Sequence, residues 1–388
     1  MAELTGYPRP DGRWGTRNHV LVLPLHAAAN LAAERIAAGI PGAVAVGHQW
    51  EAPPGDVDEE RVRYTFAGYA ANPNVYATLL IAIRKSDVEV AEEAVRRGGR
   101  VHLVAMADNR GTIGTVEAAR PLVERLVAEA GRLRREPMTP AGLVLGLECG
   151  GSDGMSGITG NPALGVASDL LVQAGGTSML AETPELIGAE HLLAARAATP
   201  QVGRQVIETI EAFEAEIRRL GVDVRNAQPT PGNQAGGLTT IEEKSLGAAK
   251  KGGSAPVVGV TGYAQPPTRP GLWIMDTPGH DIEQMVGMVA GGANIAGFTT
   301  GRGTPTGSPI TPVIKIATNS TTFRRLRGDI DVDAGAILDG RETLQSLGQK
   351  IYDLLLEVAA GRPTSSELRG NREFAISRTV SPMTAFAG

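Results

Sequence analysis

The 388-residue chain contains a single cysteine, Cys149. No intrachain disulfide can form, and one chain cannot build an all-cysteine zinc or iron–sulfur site. Aromatic residues make up only 4%, a poor basis for a sheet that stacks nucleobases on aromatic rings. Lysine is scarce: Lys85, Lys244, Lys250, Lys251, Lys315 and Lys350 stand among 37 basic residues, the rest being Arg. Arginine is the better two-pronged ligand for a carboxylate. The net charge of −5 offers no basic face for nucleic acid. No run approaches about 20 apolar residues, so no membrane helix is expected. The opening MAELTGYPRPDGRWGTRNHV lacks the apolar core of a signal peptide. These absences predict a soluble, cytoplasmic protein with no nucleic-acid or membrane partner. Glycine is plentiful at 50 residues, beside 42% hydrophobic residues. That hydrophobic content is ample for packed cores, so the glycine does not signal disorder. A Gly-x-y period is missing, which excludes collagen.

Short apolar runs alternate with helical patterns. Strands are predicted at Val20–Leu25, Ala43–Val46, Val75–Ile83 and Val101–Ala105. Helices are predicted at Ala27–Ala38, Glu59–Ala70, Val88–Arg97 and Gly114–Leu133. The charged stretch Gly131–Pro140 suits a boundary. Beyond it, strands are expected at Gly142–Leu147, Thr177–Ala181, Val257–Val260, Asn294–Thr299 and Val313–Ala317. The helices there are Ala163–Ala174, Thr199–Leu220, Asp281–Ala290 and Thr343–Ala360. This alternation predicts an α/β protein of two units, residues 1–135 and 141–388, with mostly parallel sheets and glycine-rich loops at strand ends.

Three glycine-rich segments carry the candidate chemistry. Glu148–Asn161 (ECGGSDGMSGITGN) follows a strand and precedes a helix, where open α/β sheets place ligands. Its backbone amides with Ser152, Ser156 and Thr159 suit an anion, and Glu148, Cys149 and Asp153 suit a metal. Gly232–Gly253 (GNQAGGLTTIEEKSLGAAKKGG) sets Lys244 beside Glu242 and Glu243, which reads equally as a helix-start ion pair. Met275–Ser308 gathers Asp276, Thr277, His280 and Asp281 at a turn, then FTTGRGTPTGSP around Arg302. A loop of hydroxyls about one arginine suits a polyhydroxylated carboxylate. The Gly-Lys-Ser/Thr ending of a phosphate loop is absent. His19, His26, His48 and His280 border strand ends or turns, whereas His102 and His191 read as structural.

These segments, with GYPRPDGRWGTRN at Gly6–Asn18 and TTGRGTPTGSPITPVIKIATNS, resemble the large catalytic portion of the altronate/galactarate dehydratase family. That family includes sugar-acid dehydratases and a sulfolactate sulfo-lyase, and the TGRGTPTGSPI wording is closer to the latter. The resemblance implies elimination of water or sulfite from a small acidic 2-hydroxy compound. It implies a divalent metal of the iron type, a small partner subunit and a homo-oligomer. Under it, Arg17, Asn18, Ser152, Asp153, Asp276, Thr277, Thr300, Arg302, Thr304, Thr306 and Ser308 are expected to bind substrate. His48, Lys244 or His280 would move protons. Cysteines usual in the family are missing at Leu25–Asn30, Gly47–Glu51 and Ala82–Ser86. A rebuilt site of His26, His48 and Cys149, with Glu51, would take iron(II), manganese or zinc. The same losses equally fit a chain that runs without a metal, or a diverged paralogue that binds hydroxy acids without turnover.

Overall fold

The computed structural model describes residues 3–51, 58–84 and 88–378. The loop expected within Glu51–Asp58 and the Lys85–Ser86 part of a cysteine-free position lie largely outside them. Strands β1 (Thr5–Pro8) and β2 (Trp14–Gly15) open the chain. Next come β3 (His19–Pro24), β4 (Ala43–Ala45), β5 (Val75–Ala82) and β6 (Val101–Ala105), which form a parallel sheet in the order β4-β3-β5-β6. The short strand β7 (Glu136–Pro137) pairs antiparallel with β1, which also pairs with β2. This small sheet ties the start of the chain to the stretch expected as a boundary.

The second sheet holds β8 (Val144–Cys149), β9 (Thr177–Leu180), β10 (Val257–Thr261), β11 (Gly271–Met275), β12 (Ile295–Thr300), β13 (Val313–Ala317) and β14 (Val332–Asp333). Its order is β10-β11-β9-β8-β12-β13-β14, and every pairing is parallel. The protein is therefore α/β with mostly parallel sheets. From β8 the chain moves to β9 on one side, and later strands fill the other side from β12 outward. The crevice between the carboxyl ends of β8 and β12 is thus a topological switch point, where doubly wound sheets bind ligands.

The sheets are not separately cored. Leu21, Leu23, Phe66 and Tyr69 share one apolar cluster with Met285, Met288 and Phe298. Buried polar side chains join the same seam. Asn72 donates to the carbonyls of Val289 and Ala293, and Asn74 to those of Asn294 and Ile310. Helix Glu59–Ala70 packs against helix Asp281–Ala290. At their crossing, a methyl group on Gly68 would collide with the carbonyl oxygen of Ala290. Gly68→Ala is therefore expected to cost about 1–3 kcal/mol, the usual range for overpacking. Urea unfolding checks this; a midpoint equal to wild type would mean the two helices slide apart freely.

Candidate active site

Four segments meet where β8 ends. Cys149 is the last residue of β8 and is buried. Glu182 lies just past β9, fully buried, with φ of 72°. A non-glycine residue held there stores strain of about 1–3 kcal/mol, a frequent mark of functional positions. Thr277 fixes it by accepting the Glu182 N–H at 2.7 Å, and Thr183 accepts the Thr277 N–H at 3.0 Å. Glu185 follows in the short helical turn Thr183–Leu186. Lys244 comes from helix Ile241–Ala249, and Lys251 from the turn after it.

Helix Ile241–Ala249 starts where Thr240 accepts the Glu243 N–H and Glu243 bonds back to Thr239. Glu243 is thus spent on capping. Lys244 instead points inward, with Nζ 2.7 Å from Glu185 Oε1 and 2.9 Å from Gln228 Oε1. Lys251 is fully buried; its Nζ donates to Cys149 Sγ at 2.8 Å and forms an ion pair with Glu182. Cys149 Sγ lies 3.3 Å from a Glu182 oxygen and 3.4 Å from a Glu185 oxygen. Burial pushes the Cys149 thiol up to about 12, with Lys251 pulling the other way.

A second buried group lies beside this cluster. Glu148, Phe298 and Lys315 stand in register on β8, β12 and β13. Lys315 Nζ sits 3.3 Å above the Phe298 ring centre and, like both Glu148 carboxylate oxygens, has no hydrogen-bond partner among the described residues. Burial, then the neighbouring Asp281, raises Glu148 well above the usual carboxylate range. Burial lowers Lys315 to about 7.

The three glycine-rich segments converge here. Gly154 N–H bonds to Gly236, Asn233 donates to the Ser152 carbonyl, and Arg302 N–H bonds to Gly151. Gly151 has φ of +60°, a conformation that suits glycine, and its Cα faces Thr304 and Thr300. Asp153 accepts from Ser156, Met155, Thr318 and Asn319, so it locks loops together. Thr300 does likewise, accepting the N–H groups of Gly303 and Thr304. Ser308 meets the Tyr69 hydroxyl at 3.3 Å, and Thr306 is buried beside it in sequence. Ser152 sits in Gly150-Gly151-Ser152-Asp153-Gly154, which has the spacing of a nucleophile elbow. Its hydroxyl donates to Cys149 at 3.6 Å, and no histidine joins it. The Arg302 side chain lies over Gly232, is exposed, and pairs with no carboxylate among the described residues.

Other expected residues sit elsewhere. The Arg17 guanidinium is taken up by Glu367 at 2.6 Å and by the Val358 and Thr16 carbonyls, and Asn18 bonds to Ala130. His26 and His48 do not join Cys149 as ligands. His26 caps a helical turn through Nδ1, accepting from Ala28. His48 donates from Nε2 to Pro24 and accepts at Nδ1 from Trp50, and burial lowers its basicity. Both of its ring nitrogens are thereby used by backbone. Asp276 accepts from Thr183 and is raised by burial. His280 is largely exposed, and Glu283 at 3.4 Å raises its basicity. Asp276, Thr277, His280 and Gln228 line an open cleft of about 890 Å³ that reaches Arg61 of helix Glu59–Ala70.

Among the described residues, Cys149, Glu182 and Glu185 form the group whose donor atoms could hold a metal ion, all within 4.8 Å of one another. The sulfur–carboxylate set is chemically suited to a divalent cation. In this conformation Lys251 and Lys244 already occupy those donors, so the residues as arranged do not accommodate the ion.

A buried polar cluster lies at the switch point of a doubly wound sheet, bordered by glycine-bearing loops, which is where folds of this kind place small-molecule sites. Sequence comparison names the lineage: the chain belongs to the D-galactarate/altronate dehydratase family. Residues 141–381 match the C-terminal domain of D-galactarate/altronate dehydratase, and residues 6–131 the second domain of D-galactarate dehydratase/altronate hydrolase. The chain is 38% identical to the (2R)-sulfolactate sulfo-lyase subunit beta of Chromohalobacter salexigens, over 96% of both chains. It is 34% identical to altronate dehydratase of Escherichia coli, over 96% of this chain and 77% of that one. Galactarate dehydratase (L-threo-forming) of Escherichia coli is 39% identical over 67% of this chain and 50% of its own length. No helix among the described residues is long and apolar enough to cross a membrane.

Proposed function

We propose that this chain is the catalytic part of a lyase that eliminates water, or sulfite, from a small acidic 2-hydroxy compound such as a sugar acid or sulfolactate. The observation that carries the reading is the convergence of all three glycine-rich segments on the Cys149–Glu182–Glu185–Lys244–Lys251 cluster, with Arg302 beside Gly151 and Gly232 and paired with no carboxylate among the described residues. Elimination needs a group to take the proton beside the carboxylate and a positive charge to steady the resulting enolate-like anion. Arg302 grips the substrate carboxylate or sulfonate, and Thr304 completes the cradle. Lys244, held by Glu185 and Gln228 next to the cleft, moves the proton in preference to His48 or exposed His280. A small partner subunit belongs to the same reading, since one relative is named a subunit beta, and cytoplasmic action is proposed with it.

The test is a panel of sugar acids and sulfolactate, assayed for 2-keto acid and sulfite with and without a small partner subunit. Product from one member supports the lyase; tight binding with no product from any supports a diverged binding paralogue. Arg302→Lys separates a ligand-gripping role from a surface one. Losing a two-pronged, charge-assisted contact costs about 1.5–3 kcal/mol. That is roughly 10- to 150-fold in affinity or kcat/KM, with Tm unchanged. Unaltered binding would remove Arg302 from the site.

A further inference from the structure

We infer that Lys251 is the resident cation of this site, standing where Cys149, Glu182 and Glu185 would otherwise hold a divalent metal. The geometry is direct. One fully buried ammonium group bonds the Cys149 sulfur at 2.8 Å and pairs with Glu182. Lys244 covers the remaining donor, Glu185, at 2.7 Å. In direct contact, two buried or half-buried carboxylates are thus matched by two ammonium groups, while Lys315 offsets part of the charge of nearby Glu148 and Asp281. A dication added to that balance leaves excess positive charge in a low-dielectric interior, which is strongly unfavourable.

The surroundings keep Lys251 in place. It follows helix Ile241–Ala249 without a linker, and the next turn is pressed against helix Gly160–Gln173. Asp169 accepts the N–H groups of Ser254 and Ala255 at 2.8 Å, and Gly253 has φ of +60° with no room for a side chain against Gly165. Swinging the lysine out therefore requires moving a clamped turn. Among the described residues no histidine is grouped with Cys149: His48 spends both ring nitrogens on backbone, and His26 holds Ala28 through Nδ1. The inference rests on the lyase reading only for its consequence: the positive charge facing a developing enolate-like anion is an ammonium group carried by the chain itself.

The experiment titrates the full chain with Co²⁺ under anaerobic conditions. It reads sulfur-to-cobalt charge-transfer absorption and metal retained after dialysis. Wild type is expected to show neither. Lys251→Met, with one adjacent positive charge removed, is expected to bind Co²⁺ at least about 100-fold more tightly and to show the absorption. Adding Cys149→Ser should abolish that absorption. Wild type that retains Co²⁺ with thiolate absorption overturns the inference, as does a folded Lys251→Met that gains no affinity. Should Lys251→Met fail to fold, Lys251→Gln opens the same vacancy, and the wild-type titration still decides. None of these readouts uses turnover. A hydroxy-acid panel without product counts against the lyase and leaves this result standing.

Discussion

Glu182→Gln is expected to destabilise the protein by about 3–5 kcal/mol, because it breaks a buried ion pair from one side. Lys251 and Glu182 are both fully buried and paired. The amide keeps the shape of the carboxylate and an accepting oxygen, but removes the negative charge that balances the buried Lys251 ammonium. Under the lyase reading, turnover is lost as well, because the misbalanced lysine no longer presents a fixed charge. Glu182→Gly provides the control. It relieves the backbone at φ of 72°, worth about 1–3 kcal/mol, while losing the same ion pair. Denaturant unfolding of both variants separates the pair from the strain. A Gln variant within about 1 kcal/mol of wild type, the range of an exposed pair, would show that Lys251 does not depend on Glu182.

Lys315→Met is expected to stabilise the protein at neutral pH by about 3 kcal/mol. Burial lowers the folded-state pKa from 10.5 to about 7, a penalty of about 4–5 kcal/mol on the charged form. The cation–π contact with Phe298 returns at most about 2 kcal/mol. Asp281, Glu148, Glu373 and Asp331 all face the group and favour its charge, and burial still outweighs them. Burial, then Asp281, pushes Glu148 toward its neutral form, which limits the cost of removing its cationic neighbour. Between the folded and unfolded pKa values, the unfolded chain binds the extra proton. The penalty is therefore absent above about pH 10.5 and complete below about pH 7. This residue makes wild-type stability rise with pH across that window, and the Met variant lacks the rise. Unfolding at pH 7 and pH 10 measures both effects. A variant less stable than wild type at each pH would mean that Lys315 is paired rather than stranded.

Periodicity and turn residues made most of the α/β frame legible: Glu59–Ala70, Asp281–Ala290 and Val313–Ala317 fall where their patterns put them. Strand β11 was hidden because GLWIM is a five-residue run set among prolines, QPPTRP before it and DTP after. Helix Ile241–Ala249 was masked by its composition: Lys244 and Ser245 are on its buried side, where an apolar stripe would have announced it. Two of the glycine segments follow strands, β8 and β11, as ligand loops do, whereas Gly232–Gly253 is built from short helices. Glu182 and Glu185 were not legible, lying in plain AETPELIG. Their only signal was acids directly after a strand. Lys251 stands beside Lys250 in AAKKGG, where nothing in the sequence marks one of the two as buried. Conversely, His48 borders a strand end as a ligand would, and only its two backbone partners distinguish a strut from a site.

The seam between the sheets has a consequence for biosynthesis. Phe374 wedges against Tyr69 and His48, Arg378 lies over the Trp50 ring, and Glu367 clamps Arg17. The first sheet thus emerges from the ribosome with Trp50, Phe66 and Tyr69 lacking covers that are translated much later. At roughly 5–20 residues per second, that interval lasts tens of seconds. Nascent chains stalled before Glu367 should accordingly be sticky and protease-sensitive around Tyr69, and holding chaperones would find their natural client in that window rather than in the finished protein.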